Sequence, residues 1–188
     1  MSFLLRPLAA FCLLLAAGVA PALAVEQMPP AVAAVIDYQR VLREAKAAKS
    51  IRDQIETRRK LYQDQIAKEE QKLNDADKEL AKQRAVLSAD AFKDKREEFQ
   101  KKVAGVQRMV QERRRTLDQT SAAALNQVRN AMIEVVSVLS AERGFNLVMP
   151  SSAVLLFSPK IDLTVEVIKR LDGKLPNVKV PEKVAQQQ

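Results

Sequence analysis

The chain has no histidine and no tryptophan, one cysteine, four glycines and few aromatics, at 4% of 188 residues. Cys12 lies inside an apolar run, where it reads as a hydrophobe and not as a site of lipid attachment. Beyond that run there is no thiol nucleophile, no imidazole base and no His/Cys metal centre. Carboxylate or Ser–Lys chemistry stays formally open, but no spacing points to it. The expectation is therefore a protein without enzymatic activity, cofactor or metal. With no cysteine to pair, stability has to come from packing or from association between copies.

What is present begins with an address. Arg6 precedes an apolar run over residues 8–19, and Pro21 precedes Ala22-Leu23-Ala24, a small-x-small cleavage site. The run is too short to cross a bilayer, so residues 1–24 read as a secretory signal peptide cleaved after Ala24, a retained anchor being the alternative.

The formal net charge is +8, and it is unevenly placed. Residues 38–115 carry 22 Lys and Arg against 14 Asp and Glu by count, so the basic character belongs to one element.

That element reads as helical. Residues 38–87 hold no Gly and no Pro, and Ile66, Leu73, Leu80 and Leu87 recur at heptad spacing with a companion series Val41, Ala48, Ile55 and Tyr62. Asp37 suits an N-cap for this first helix. Ser88 suits the N-cap of a second helix over 89–143, with Gly144 at its C′ position. The second stripe contains Phe92, Phe99, Val106, Leu117 and Val128. In an antiparallel hairpin, facing positions have a constant sum. A sum of 179 pairs Leu87 with Phe92, Leu80 with Phe99, Leu73 with Val106, Tyr62 with Leu117 and Ile51 with Val128. The same register sets Ile66 against Arg113 and Glu69 against Val110, leaving Glu69 and Arg113 able to pair, either as residues snorkelling from the seam or as a soft spot where the arm bends.

Either side of this arm the pattern changes. Val32, Val35 and Ile36 lie in a β-branched run that suits a buried strand over 31–36, within a lead segment 25–37. After Gly144, residues 145–149 (with Leu147 and Val148) and 153–157 (Val154, Leu155, Leu156, Phe157) read as two further strands. Asp162 can cap a short helix over 163–172, with Gly173 just past it. Residues 174–188, with two Pro and a Gln-rich end, read as a disordered tail. The expected fold is α+β and mostly α: a long antiparallel coiled-coil hairpin (38–143, tip near 88–91) inserted between the strands of a small β body (144–173 with the first strand). So small a body has open sheet edges, which a symmetric oligomer would cover, whereas a monomer would have to cover them with the hairpin base.

Val35-Ile36-Asp37-Tyr38-Gln39-Arg40-Val41-Leu42, Phe145-Asn146-Leu147-Val148-Met149, Ala153-Val154-Leu155-Leu156-Phe157 and Ile161-Asp162-Leu163-Thr164, with Leu87-Ser88 at the tip, resemble the Skp/OmpH family of periplasmic chaperones. The resemblance implies a homotrimer joined through the strand body. Its arms would enclose unfolded outer-membrane proteins on their way to the outer membrane, without ATP. On the arm, Leu61, Val86 and Met109 lie beside the seam and are candidates for client contact. Incidental exposure is the commoner origin of such positions. Arg113, Arg114 and Arg115 suit acidic clients or anionic lipid, lipopolysaccharide included, although a solvated face is the commoner meaning of a charge run. Two rival functions are a coiled-coil adaptor of an envelope-spanning complex and a nucleic-acid binder. The first needs more strand residues than are present, and the second lacks any recognition motif.

Overall fold

The computed structural model describes residues 28–183. The signal segment 1–24, its cleavage point and residues 184–188 fall outside the described residues. Strand β1 (Ala33–Ile36) pairs in parallel with β2 (Leu147–Pro150), Ala33 opposite Leu147 and Ile36 opposite Pro150. Parallel neighbours need a long crossover, and here it is the whole helical arm between them. Pro150, which has no N–H to give a ladder, stands at the strand's last position. Asn146 fixes the start of the pairing, because its Oδ1 accepts from Val32 N at 2.8 Å while Val32 O accepts from Asn146 N at 3.0 Å.

The arm starts as expected and then breaks. Asp37 caps helix α1 (Tyr38–Glu44), its Oδ1 accepting from Arg40 N at 2.8 Å. Instead of one helix to residue 87 there are two, because Ala45 leaves helical geometry (ψ 137°) before α2 (Lys46–Gln83). No Gly or Pro causes this. Long-range partners satisfy the freed backbone groups: Lys46 N donates to Asp172 Oδ1 at 2.7 Å, and Arg52 donates to Leu42 O and Arg43 O at 2.8 and 2.7 Å. Ala45, Ala47 and Ala48 have no exposed surface, so methyl side chains allow the close packing that the bend needs. A turn over residues 84–88 leads to helix α3 (Ala89–Arg143), capped by Ser88 and closed by Gly144 in the left-handed region (φ 75°).

Three C-terminal expectations need correction. Residues 153–157 are not a strand. Ser151–Ala153 form a 3₁₀ turn, and Val154 to Phe157 join no ladder among the described residues, although Val154 keeps extended dihedrals (φ −120°, ψ 123°). The composition favours extended backbone, but a ladder also needs a partner. Within one chain, β1 already pairs with β2 and, through Val35, bridges Asp162. Helix α4 (Thr164–Lys174) starts one residue later than expected and runs through Gly173 instead of stopping before it. The tail is not free of structure: Val178 and Val180 are buried, and the segment is held against α2.

The main core is not confined to a strand body: Ala34 and Ile36 of β1, with Phe145 and Leu163, join a cluster made mostly by helices. It gathers Val41 of α1, Ala47, Ala48 and Ile51 of α2, and Ala124, Val128, Ala131, Val135 and Leu139 of α3. Ala45 at the bend, Val167 and Leu171 of α4, and Val178 and Val180 of the C-terminal segment also belong to it. The α3 members follow steps of three and four, one stripe of a helix. Around this root Arg170 donates to both oxygens of Glu142, at 2.9 and 2.7 Å, and to Glu166 Oε1 at 2.8 Å, tying α4 to α3. Arg143 pairs with the same Glu166.

Candidate functional site

From residue 52 to residue 119 no residue is fully buried. Two helices have only one contact face each, so the apolar stripes of α2 and α3 pack against each other but stay partly open to solvent. Tyr62, Ile66, Leu73, Leu80, Leu87, Phe92, Phe99, Val106 and Leu117 are all half-buried. Leu73 and Val106 line one cavity between the two helices, and Leu80 and Phe99 line another nearer the tip. The first cavity, about 450 Å³, has Leu73, Ala76, Gly105, Val106 and Met109 on its walls with Lys72, Lys102 and Glu69 at its rim. A Cβ at Gly105 would meet nothing within 4 Å, so the missing side chain widens this space.

Charge covers the outer faces. Short-range pairs recur along both helices, among them Glu69–Lys72 at 2.7 Å and Glu98–Lys102 at 3.1 Å. Hydrogen bonds from Lys102 and then Lys95 hold the Glu98 carboxyl below its ordinary range. The Glu69–Arg113 pairing that the register allowed does not form. Glu69 takes Lys72 instead, and the Arg113 guanidinium carbon stands 4.5 Å from the centroid of the Tyr62 ring. Stacking there gives Arg113 an aromatic face while its fork stays near water, which an exposed carboxylate partner would match only weakly. Arg114 and Arg115 are exposed. Of the off-seam apolar candidates, Leu61 (53%) and Val86 (79%) are exposed while Met109 is half-buried in the cavity wall.

A second apolar area lies at the root. Val35 and Ile36 are buried, whereas Val32, Leu147, Val148, Leu155 and Leu156 are exposed and Val154 and Phe157 half-buried. A groove of about 590 Å³ beside β2 is lined by Ile36, Met132, Ile133, Val136, Val148 and Met149. Among the described residues no group of His, Cys, Asp and Glu could hold a metal ion, and no helix is long and apolar enough to cross a membrane.

The family sequence profile described as outer membrane protein (OmpH-like) matches residues 32–171. The chain belongs to the OmpH-like family. The match takes in β1, the whole arm, β2 and most of α4. A crystal structure of a protein assigned as an outer membrane chaperone (OmpH-like) from Caulobacter crescentus CB15 shares the fold, with a TM-score of 0.76 at 20% identity. The alignment covers 86% of this chain and 97% of that one. No curated protein matches. The OmpH-like profile stops at residue 171, so the docked segment 175–183 lies beyond it. Sequence reasoning missed this segment's partners, Gln54 and Arg58. The only available signals were their i, i+4 spacing on α2 and the apolar alternation of Val178-Lys179-Val180, which two Pro and a Gln-rich end obscured.

Proposed function

We propose that the chain, once its signal segment is removed, is an ATP-independent holdase chaperone of the periplasm. It encloses unfolded outer-membrane proteins and keeps them from aggregating before they insert. The observation that carries this reading is an arm whose apolar seam stays half-open along its length while basic charge covers its flanks. A membrane β-barrel precursor exposes alternating apolar residues and unpaired edges before it closes. Weak contacts repeated along a rod, and multiplied by several rods, hold such a client without one tight site. Family membership supports the same reading. The arm is read as an antiparallel coiled-coil hairpin in the register that sets Leu73 near Val106 and Leu80 near Phe99.

The assembly proposed is a homotrimer joined at the root. Its support is the exposed apolar surface of Val32, Leu147, Val148, Leu155 and Leu156 beside the open edge of β2. The unpaired segment 154–157 is then a strand that finds its ladder on a neighbouring copy. The exposed apolar groups Leu61 and Val86, the cavity-wall Met109, and the cations Arg113, Arg114 and Arg115 face the client; the cations also suit anionic lipid such as lipopolysaccharide. The deciding experiment mixes the purified mature chain with an unfolded barrel protein in the absence of nucleotide. Aggregation falls if the reading is right, and light scattering that rises as fast as in buffer refutes it.

A further inference from the structure

The C-terminal segment beyond the family match is held in a way that reads a backbone. On α2, Gln54 and Arg58 lie one helical turn apart. The Gln54 carboxamide donates from Nε2 to Val178 O at 2.7 Å and accepts from Val180 N at 3.0 Å. This two-sided contact is the one a neighbouring strand makes in a ladder. Arg58 continues the line, donating to Pro181 O at 2.6 Å and to Val180 O at 3.3 Å. None of these four bonds touches a side chain of the segment, so they specify extended backbone and not a sequence. Selectivity comes from below, where Val178 and Val180 enter the core cluster with 3% and 2% exposure, Lys179 between them pointing to solvent.

We propose that this groove on α2 is a binding site for extended peptide with apolar residues two apart, and that residues 178–181 occupy it in cis. The ligand class follows from the contacts: backbone read by Gln54 and Arg58, two apolar sockets at alternate positions, and an outward residue left free. Alternating sequences of that kind are what an unclosed membrane β-barrel displays. The inference therefore deepens the holdase reading and, as regards clients, rests on it. The tethered segment is an intramolecular competitor. A client strand arriving at the arm root displaces it and gains both the backbone bonds and the sockets.

The test uses the full chain and a synthetic peptide of residues 175–183. In the double variant Val178→Asp/Val180→Asp the chain's own segment is driven out, and the peptide binds in trans. It binds at least about tenfold more weakly to the unaltered chain, whose site is filled, and adding Gln54→Ala to the double variant weakens binding about tenfold by removing two hydrogen bonds. A double variant that keeps its helical circular dichroism yet takes no peptide overturns the proposal. Should that variant not fold, hydrogen exchange on the unaltered chain decides. Excess peptide speeds exchange at the Val180 amide and leaves the Leu139 amide unchanged, whereas undiminished Val180 protection overturns the proposal. Repeating the exchange measurement with unfolded barrel protein separates the two readings. Suppressed aggregation with a protected Val180 amide sinks the cis-occupied site and leaves the holdase role standing. Peptide exchange without client capture does the reverse.

Discussion

Single residues were legible in the sequence where their role is local. Ser88 and Gly144 do what their types do at helix ends, one accepting from Ala91 N and the other adopting φ 75°. Asp37 caps α1 in the same local way. Arg52, Gln54 and Asp172 were not legible, because each answers a backbone group that lies far away in sequence or exists only because the helix breaks. Nothing in the pattern around Ala45 announces that break. Gly105 offers a test at this scale. It sits inside α3 with a normal φ and an empty Cβ position, so its only local effect is the helix penalty of glycine. Gly105→Ala is expected to stabilise the chain by about 0.5–1 kcal/mol, read from denaturant midpoints at constant slope. If the glycine serves arm bending, client capture falls in this more stable variant.

At the scale of elements, the arm and its root obey different physics. The heptad stripes gave the run of α2 and α3 because that periodicity is strong and long, and the caps gave the ends of α3 but not those of α2. They did not give the depth of burial, which depends on how many elements converge. At the root, α1, α2, α3, α4 and the C-terminal segment meet, and Leu139 has no exposed surface. Farther out only two helices are present. Leu139→Ala is therefore expected to cost about 2–5 kcal/mol, and Leu80→Ala, half-buried, about 1 kcal/mol, in chemical denaturation. Amide exchange should follow the same gradient, slow near Val128 and faster toward Ser88, with a local rise where Gly105 and the cavity interrupt the seam. The α3–α4 contact adds a pH dependence. A hydrogen bond from Arg170 keeps the Glu142 carboxyl below its ordinary value of 4.5. Its folded pKa is depressed, so the stabilisation is present above the unfolded value and is lost as pH falls through the folded one. Glu142→Gln removes that part of the acid sensitivity. The drop in melting temperature between pH 7 and pH 3 should be smaller in the variant than in the unaltered chain.

For the whole molecule, what matters is the division between a root that packs and an arm that stays open. Composition showed this early, because the excess of Lys and Arg falls within residues 38–115 while the buried cluster draws on both ends of the chain. The strand body was over-read: 153–157 has a strand's composition but no partner inside one chain, and strand pairing is set by the assembly as much as by local preference. If copies join at the root, sedimentation of the mature chain gives a trimer, and Leu155→Asp/Leu156→Asp shifts it toward monomer without loss of helix. The charge on the arms then sets the range of capture. Exposed cations act over about one Debye length, roughly 8 Å at physiological salt and shorter as salt rises, while contacts with the half-open seam do not depend on ionic strength in that way. Affinity for an unfolded barrel protein should therefore fall between low and high salt and level off at a residual value. Arg114→Ser/Arg115→Ser should flatten the early part of that curve and leave the residual unchanged. A flat curve for the unaltered chain would mean that the basic faces only keep the arms in solution and that apolar contact alone holds the client.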